Sequence, residues 1–363
     1  MLKPKILVTA ASGRTGAATI HELLAQSFPV RAMVRRLDAR SERLRAAGAE
    51  IVVGDLFDYR DLERALAGVQ RAYHCPPFGP NLLHSAMLFA TAAEQAKLEV
   101  VALMSGWNPH PTHPSALTRE HWIANQIYRW MPSVDVIHVN PGLFAFTYFL
   151  GLRAIVHFGM FMAPFGEGKN APPSNEDIGR VAAAVLARPE GRIGKCYRPT
   201  GPQLITPQDA AAAMSRVLGR RVTYKPASVT SFLKAAIAAG GTNMFDLANI
   251  RHYVADLENG AFALGAPSGH VEELTGRPSE DFESIARRYF VDPDLIAPGI
   301  RAGSKLEAFG FLARMLFTRV PDFDRWEDDH LLPRIQSPEL AQNNEAWRRH
   351  ASAKELYLLQ GDL

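Results

Sequence analysis

Cysteine is scarce. The 363-residue chain has two, Cys75 and Cys196, far apart and neither in a C-x-x-C pair. No disulfide framework or thiolate zinc site can be read from such a pattern. An excess of one charge is also missing. Forty Lys and Arg face 37 Asp and Glu, for a net charge of +3, and the basic residues are dispersed, not gathered in runs. A nucleic-acid surface needs clustered positive charge, so no nucleic-acid partner is expected. Long uninterrupted apolar runs are lacking too. The most apolar stretch, Pro141 to Gly166, is broken by Arg153, His157 and several Gly and Pro. A membrane-spanning helix needs about 20 mostly apolar residues. The stretch reads instead as a buried segment or pocket lining, and membrane-surface contact is not expected. The chain runs from its start straight into a strand pattern without a separate apolar stretch, so no secretory leader is read and a cytoplasmic location is expected.

The residues that are present suit a globular fold. Hydrophobic residues make up 47% and charged residues 21%, which is ordinary for a folded domain, and the length suggests about two domains. Strand and helix patterns alternate at the start. Strands are predicted at Lys5–Thr9, Val30–Val34, Glu50–Val53, Arg71–His74, Val100–Met104 and Val134–Val139. Helices are predicted over Gly16–Gln26, Leu82–Ala96 and Leu117–Trp130, with shorter ones around Leu44–Ala47 and Leu62–Leu66. This alternation argues for right-handed crossovers and a parallel sheet. After Pro141 the pattern loosens. Asn175–Ala187 and Thr206–Leu218 are predicted helices, with Ser174 or Asn175 and Thr206 as caps and Gly219 as a stop. Ser228–Ala239, Phe245–Leu257 and Ser279–Tyr289 follow as helical candidates, and Leu306–Arg319 reads as an amphipathic helix with a basic edge.

The segment VTAASGRTGAATIHELL carries the most chemistry. A strand feeds a loop of small residues, Ala10, Ala11, Ser12, Gly13, Arg14, Thr15 and Gly16, and a helix leaves it. In the dinucleotide-binding pattern G-x-G-x-x-G, small residues let the backbone approach a pyrophosphate, and the helix N-terminus supplies N–H donors and positive dipole. Gly13 and Gly16 keep that spacing, while Ala10 stands where the first Gly is usual. The second strand follows about 20 residues on, as the motif requires. It ends in Val34-Arg35-Arg36. An acidic residue there would favour NAD(H); Arg35 instead suits a 2′-phosphate. NADP(H) is therefore expected over NAD(H), with Thr9, Ala11, Ser12, Gly13, Arg14, Thr15, Gly16 and Arg35 as cofactor contacts. The expected fold is α/β: a Rossmann-type doubly wound parallel sheet over 1–160, a smaller, mostly helical substrate domain over 161–290, and a C-terminal extension over 291–363. The helix near 175–188 is expected to pack back on the first part.

These pieces together resemble the NmrA-like, atypical branch of the short-chain dehydrogenase/reductase superfamily. Thr9–Gly16 is similar to its T-G-A-T-G-x-x-G signature, and Arg31-Ala32-Met33-Val34-Arg35 to its R-A-x-V-R strand. Gly54-Asp55-Leu56 is similar to its G-D-L turn, and the resemblance implies that Asp55 and Leu56 border the adenine. Cys75-Pro76-Pro77 resembles the cofactor-side turn after the fourth strand, which adds Pro76 to the cofactor contacts. Ser105, His121 ahead of a helix, Asn140-Pro141-Gly142 and Thr275-Gly276-Arg277-Pro278 also have counterparts. The resemblance covers roughly residues 1–290. It departs from the superfamily in one respect that bears on mechanism: no Tyr-x-x-x-Lys dyad is present, and Asn125 stands where some relatives have Lys.

Ligands of such sheets bind beyond the carboxyl ends of the strands. Ser105 and Trp107, after the fifth strand, and Asn140 to Phe144, after the sixth, should therefore face the nicotinamide. His121 is the candidate acid/base, Ser105 a candidate to orient a carbonyl, and Tyr148 a candidate phenol donor. Trp107, Phe144 and Phe146 are read as substrate contacts, implying a small hydrophobic ligand. His110 and His113 sit in a Pro-rich loop read as a lid, and no metal site is expected. The expected activity is NADP(H)-dependent reduction of an apolar carbonyl, quinone or enone. A non-catalytic NADP(H) sensor, or an isomerase or lyase retaining the nucleotide, stands as the alternative, and a homodimer is left open.

Overall fold

The computed structural model describes residues 3–240, 243–296, 301–330 and 337–353. The first part alternates as expected: β1 Ile6–Val8, α1 Arg14–Ala25, β2 Val30–Val34, α2 Ala39–Ala46, β3 Glu50–Val53, α3 Tyr59–Leu66, β4 Arg71–His74, α4 Leu82–Ala96, β5 Val100–Met104, α5 Ala116–Arg129 and β6 Asp135–Val139. Then follow α6 Leu152–Phe158, β7 Met160–Ala163, α7 Asn175–Ala187, β8 Cys196–Tyr197, α8 Pro207–Leu218, β9 Thr223–Pro226, α9 Val229–Ala239 and α10 Met244–Glu258. The last helices are α11 His270–Thr275, α12 Phe282–Val291, α13 Lys305–Phe317, α14 Phe323–Asp329 and α15 Glu345–Ala353.

Seven strands form one sheet in the order β3-β2-β1-β4-β5-β6-β8, every neighbouring pair parallel. This is the Rossmann-type doubly wound sheet. A parallel sheet must be covered on both faces. Ile20 and Leu23 of α1 join Val181 and Val185 of α7 on one face; Leu62 of α3, Phe89 of α4 and Leu117 of α5 cover the other. α1 and α7 lie so close that a Cβ on Gly179 would fall 2.5 Å from the Ala18 Cβ. A third core gathers Phe149, Phe161, Met214, Phe282 and Tyr289 beside a small parallel pair, β7 with β9.

The caps behave as their residue types dictate. Ser174 Oγ accepts from the Asp177 N–H, Thr206 and Asp209 form a reciprocal capping box ahead of Pro207, and Gly219 ends α8 with φ +63°. β8 has no counterpart among the predicted strands, because two residues are too short to show a period. The order of the sheet reverses between β1 and β4. Loops after β1, β4, β5 and β6 therefore open at one carboxyl edge, the usual place for a ligand.

Candidate cofactor and active site

The loop after β1 is shaped by backbone contact. Ala10 takes a left-handed conformation, φ +47°, the geometry for which glycine is normally used. The Ala10 carbonyl then lies under the start of α1 and accepts from the Gly13 N–H at 2.8 Å. A Cβ on Gly13 would fall 2.9 Å from that oxygen, and one on Gly16 only 2.5 Å from it. Both glycines are thus required by close packing. Gly13 precedes α1 as its cap without a side-chain hydrogen bond, and no acid stands in the first turn, so the leading N–H groups remain for an anion. The cradle is braced from β4. Tyr73 donates its hydroxyl to Thr15 Oγ1 at 3.1 Å, and the Cys75 N–H donates to Thr9 Oγ1 at 3.0 Å. Ala11 and Thr15 are buried, Ser12 is half-buried and Gly13 is exposed; Pro76 is buried in the turn after β4.

Arg35 and Arg36 leave the end of β2 exposed. Neither has an ion-pair partner among the described residues. Beside Arg35, Gly54 donates its N–H to the Val34 carbonyl, and the Asp55 carboxylate is occupied by the Phe57 N–H at 3.0 Å. Leu56 is half-buried there. Arg14, expected as a cofactor contact, is directed elsewhere. Its guanidinium stacks 3.8 Å from the centre of the Phe146 ring and donates to the Ile296 carbonyl. Burial among these groups lowers its pKa from the ordinary value. Phe146 meets Phe144 edge to face at 5.7 Å, so both aromatics stand next to the cofactor loop.

The placement of His121 ahead of its helix needs correction, while the predicted start at Leu117 lies one residue from the observed one. Ser115 accepts from the Thr118 N–H, so α5 starts at Ala116 and His121 is its sixth residue. From there His121 faces the β5 loop: a Cβ on Gly106 would sit 3.9 Å from its ring. One turn later Asn125 meets Ser105, whose hydroxyl donates to Asn125 Oδ1 at 2.9 Å. Burial holds the His121 pKa down at about 4, so the ring is neutral at neutral pH.

His121 lines a small cavity of about 20 Å³ with Gly106, Trp107, Thr118, Tyr253 and Asp256, room for roughly one water. Tyr253 and Asp256 come from α10 and were not among the expected site residues. Burial pushes the Tyr253 hydroxyl up to about 12, so it stays protonated. Its ring also approaches Phe78, just past Pro76, at 6.4 Å. Trp107, which lines the cavity, donates its Nε1–H to the Ala261 carbonyl at 2.8 Å, and its ring lies under the Arg198 guanidinium at 3.2 Å.

Two expectations about the surrounding residues fail. Tyr148 does not line the cavity. It is buried against Phe161, Phe165 and Phe282, with Asn170 Nδ2 3.4 Å from its hydroxyl, and burial drives its pKa up. Its aromatic neighbours hold it in the core. The loop bearing His110 and His113, read as a lid, is pinned. His113 pairs with Asp256, and Ser115 donates to Asn249 Oδ1 at 2.8 Å. From the C-terminal part, Trp347 donates to the Pro109 carbonyl at 3.2 Å, and the Glu339 N–H donates to that of Thr112 at 3.0 Å. Among the described residues no group of three His, Cys, Asp or Glu side chains is gathered to hold a metal ion.

The NmrA-like family model matches residues 2–123, which span β1 to the middle of α5. The match continues over most of the chain in a reductase of Streptomyces griseus that acts on a (4-alkanoyl-5-oxo-2,5-dihydrofuran-3-yl)methyl phosphate. It is 30% identical over 279 residues, 76% of this chain and 95% of that protein. The chain belongs to the NmrA-like family. An NAD(P)H azoreductase of Xenophilus azovorans is 29% identical to this NmrA-like chain over 291 residues, 78% of it and 97% of the relative. The fold is also that of the NADPH-dependent quinone oxidoreductase of Escherichia coli solved with NADPH, with a TM-score of 0.67 at 23% identity, covering 78% of this chain and 99% of that one.

Proposed function

We propose that this NmrA-like protein is an NADP(H)-dependent oxidoreductase that reduces a flat apolar acceptor, such as a quinone, enone, azo or carbonyl compound. The observation that carries the reading is the cradle of Ala10, Gly13 and Gly16 at the uncapped start of α1, with Arg35, which has no ion-pair partner among the described residues, exposed at the end of β2. Its relatives' reductase names point the same way. Bound NADPH supplies a hydride from its nicotinamide ring. The α1 N–H groups receive the pyrophosphate, and Arg35 pairs with the 2′-phosphate. Ser105, held by Asn125, and the neutral His121 orient the acceptor by hydrogen bonding. Tyr253 is the phenol that lines the cavity and keeps its proton at working pH, and it donates that proton in place of the missing Tyr-x-x-x-Lys tyrosine. A ring-sized acceptor needs far more than the present volume, so the Trp107–Ala261 contact opens for it.

A second reading, nucleotide binding without turnover, draws support from the absent dyad and the one-water cavity. The deciding experiment follows NADPH consumption by the full chain against a panel of quinones, azo dyes, enones and aromatic aldehydes. Turnover with any of them, faster with NADPH than NADH, is expected. Tight NADPH binding with no oxidation across the panel would overturn the reductase reading and leave the binding one.

A further inference from the structure

α13 is apolar on two sides. The side turned to the protein carries Ala308, Phe311, Leu312 and Met315, buried or half-buried as the helix packs against α6 and α9. The other side carries Leu306, Phe309, Leu316 and Phe317, which are 81%, 55%, 69% and 88% exposed. With Ala313 they form one stripe along the helix at three- and four-residue spacing. Among the described residues, Phe309 is the one of these with an aromatic neighbour, meeting Phe158 at 5.0 Å. Contiguous exposed apolar surface of this kind marks a contact site more often than a free face.

The charges around the stripe identify what it contacts. On the helical wheel Lys305 lies on one flank and Arg314 on the other, and Arg319 follows the helix; all three are exposed. None has an ion-pair partner among the described residues. The one acid on α13, Glu307, is turned back into the capping box at Ser304. Two copies paired through this stripe would bring their basic flanks together with no free acid on the helix to offset them. A layer of anionic headgroups offsets all three at once.

We propose that α13 docks the protein on the surface of an anionic phospholipid membrane. The helix lies along the interface, with Leu306, Phe309, Leu316 and Phe317 in the acyl boundary and the long basic side chains reaching the phosphates. Among the described residues no helix is long and apolar enough to cross a membrane, so the contact is peripheral. The sequence expectation against membrane contact weighs the apolar run at 141–166, while the amphipathic Leu306–Arg319 is open in sequence between covering the cleft, pairing subunits and touching a membrane. Much of that run is core, whereas the exposed apolar side lies on α13. The proposal does not depend on the reductase reading.

The test is co-sedimentation of the full chain with phosphatidylcholine vesicles, with and without phosphatidylglycerol. Pelleting with the anionic vesicles, weakened by salt, is expected. Phe309→Glu/Phe317→Glu should lower that binding by at least about 10-fold, because two exposed rings no longer leave water. Lys305→Glu/Arg314→Glu should abolish the preference for anionic lipid. Leu306→Ser/Leu316→Ser provides a second apolar variant, and NADPH affinity equal to that of the parent certifies each fold. Wild-type protein that stays in the supernatant with both vesicles overturns the proposal. So does unchanged pelleting of both apolar variants, or a dimer in solution that these variants convert to monomer, which would assign the face to a second copy.

Discussion

The imidazole of His113 and the carboxylate of Asp256 lie 3.1 Å apart, buried, across 143 residues of sequence. The Ser115 N–H donates to His113 Nδ1 at 3.0 Å, which leaves the Nε2–H to donate to Asp256. This pair ties the loop after β5 to α10 and so builds the wall that carries Tyr253. Asp256→Ala removes the acceptor and should cost roughly 2 kcal/mol of stability, typical of a lost hydrogen bond to a charged group. Denaturant unfolding measures the loss. Turnover should fall with it while NADPH affinity stays near that of the parent, because the cofactor cradle is braced from β4 instead.

Ala10 and Gly16 make a matched pair of substitutions. Gly16→Ala pushes a Cβ to 2.5 Å from the Ala10 carbonyl oxygen, so the loop must shift. Lower stability and NADPH affinity weaker by about 10-fold or more are expected, as misplaced cradle amides lose the pyrophosphate. Ala10→Gly relieves a left-handed residue whose strain is about 1 kcal/mol, offset in part by the added freedom of the unfolded chain. Its melting temperature should hold or rise slightly, with binding retained. Thermal unfolding and calorimetry of the two variants check both outcomes.

Arg35→Ala should separate the two nicotinamide cofactors. Loss of a charge-assisted pair to the 2′-phosphate is expected to weaken NADPH by about 10-fold or more and leave NADH nearly unchanged. Equal losses for both would show that Arg35 does not read the phosphate.

For the proton, Tyr253→Phe should lower kcat by about 100-fold with little change in KM. His121→Phe should act mainly on KM, since its ring, neutral at working pH, orients the acceptor. The reverse split in steady-state kinetics would exchange the two roles.

Acid should destabilise the fold through buried histidines. Burial lowers His74 to about 3 and His138 to about 4, from an ordinary 6.5. The unfolded chain therefore takes up these protons first as pH falls. The stability they confer is whole above about pH 6.5, declines as pH falls below that, and is lost as pH drops through about 4 for His138 and about 3 for His74. Melting temperatures across that window should fall, and His138→Phe should flatten the fall. Glu120 acts in the opposite sense. Burial raises it to about 7, so its contribution is whole below about 4.5 and is lost as pH rises through 7, and Glu120→Gln should remove that loss.

The strands of the sheet's centre were legible because each is a short apolar run between helical periods, and several boundaries, such as Val30–Val34 and Val100–Met104, match residue for residue. The cofactor loop was legible for the same local reason: strand, small residues and helix are contiguous in the chain. β8 was not, being two residues long. Nor were Tyr253 and Asp256, because no local pattern marks a helix residue that will face a loop more than a hundred positions away. Tyr148 offered a phenol proton in sequence, but its place in the core was not legible, because an aromatic run looks the same whether it lines a cavity or fills a core.

By itself, then, the sequence determined what depends on neighbours along the chain: the parallel order of strands and helices, the glycine spacing at Ala10–Gly16, and Arg35 at the end of β2. Tertiary structure alone decided what depends on neighbours in space. It sent Arg14 to Phe146, buried Tyr148, brought His113 to Asp256, and left the outer side of α13 bare. Backbone propensity acts over a few residues, whereas burial and pairing are settled only when distant segments pack together.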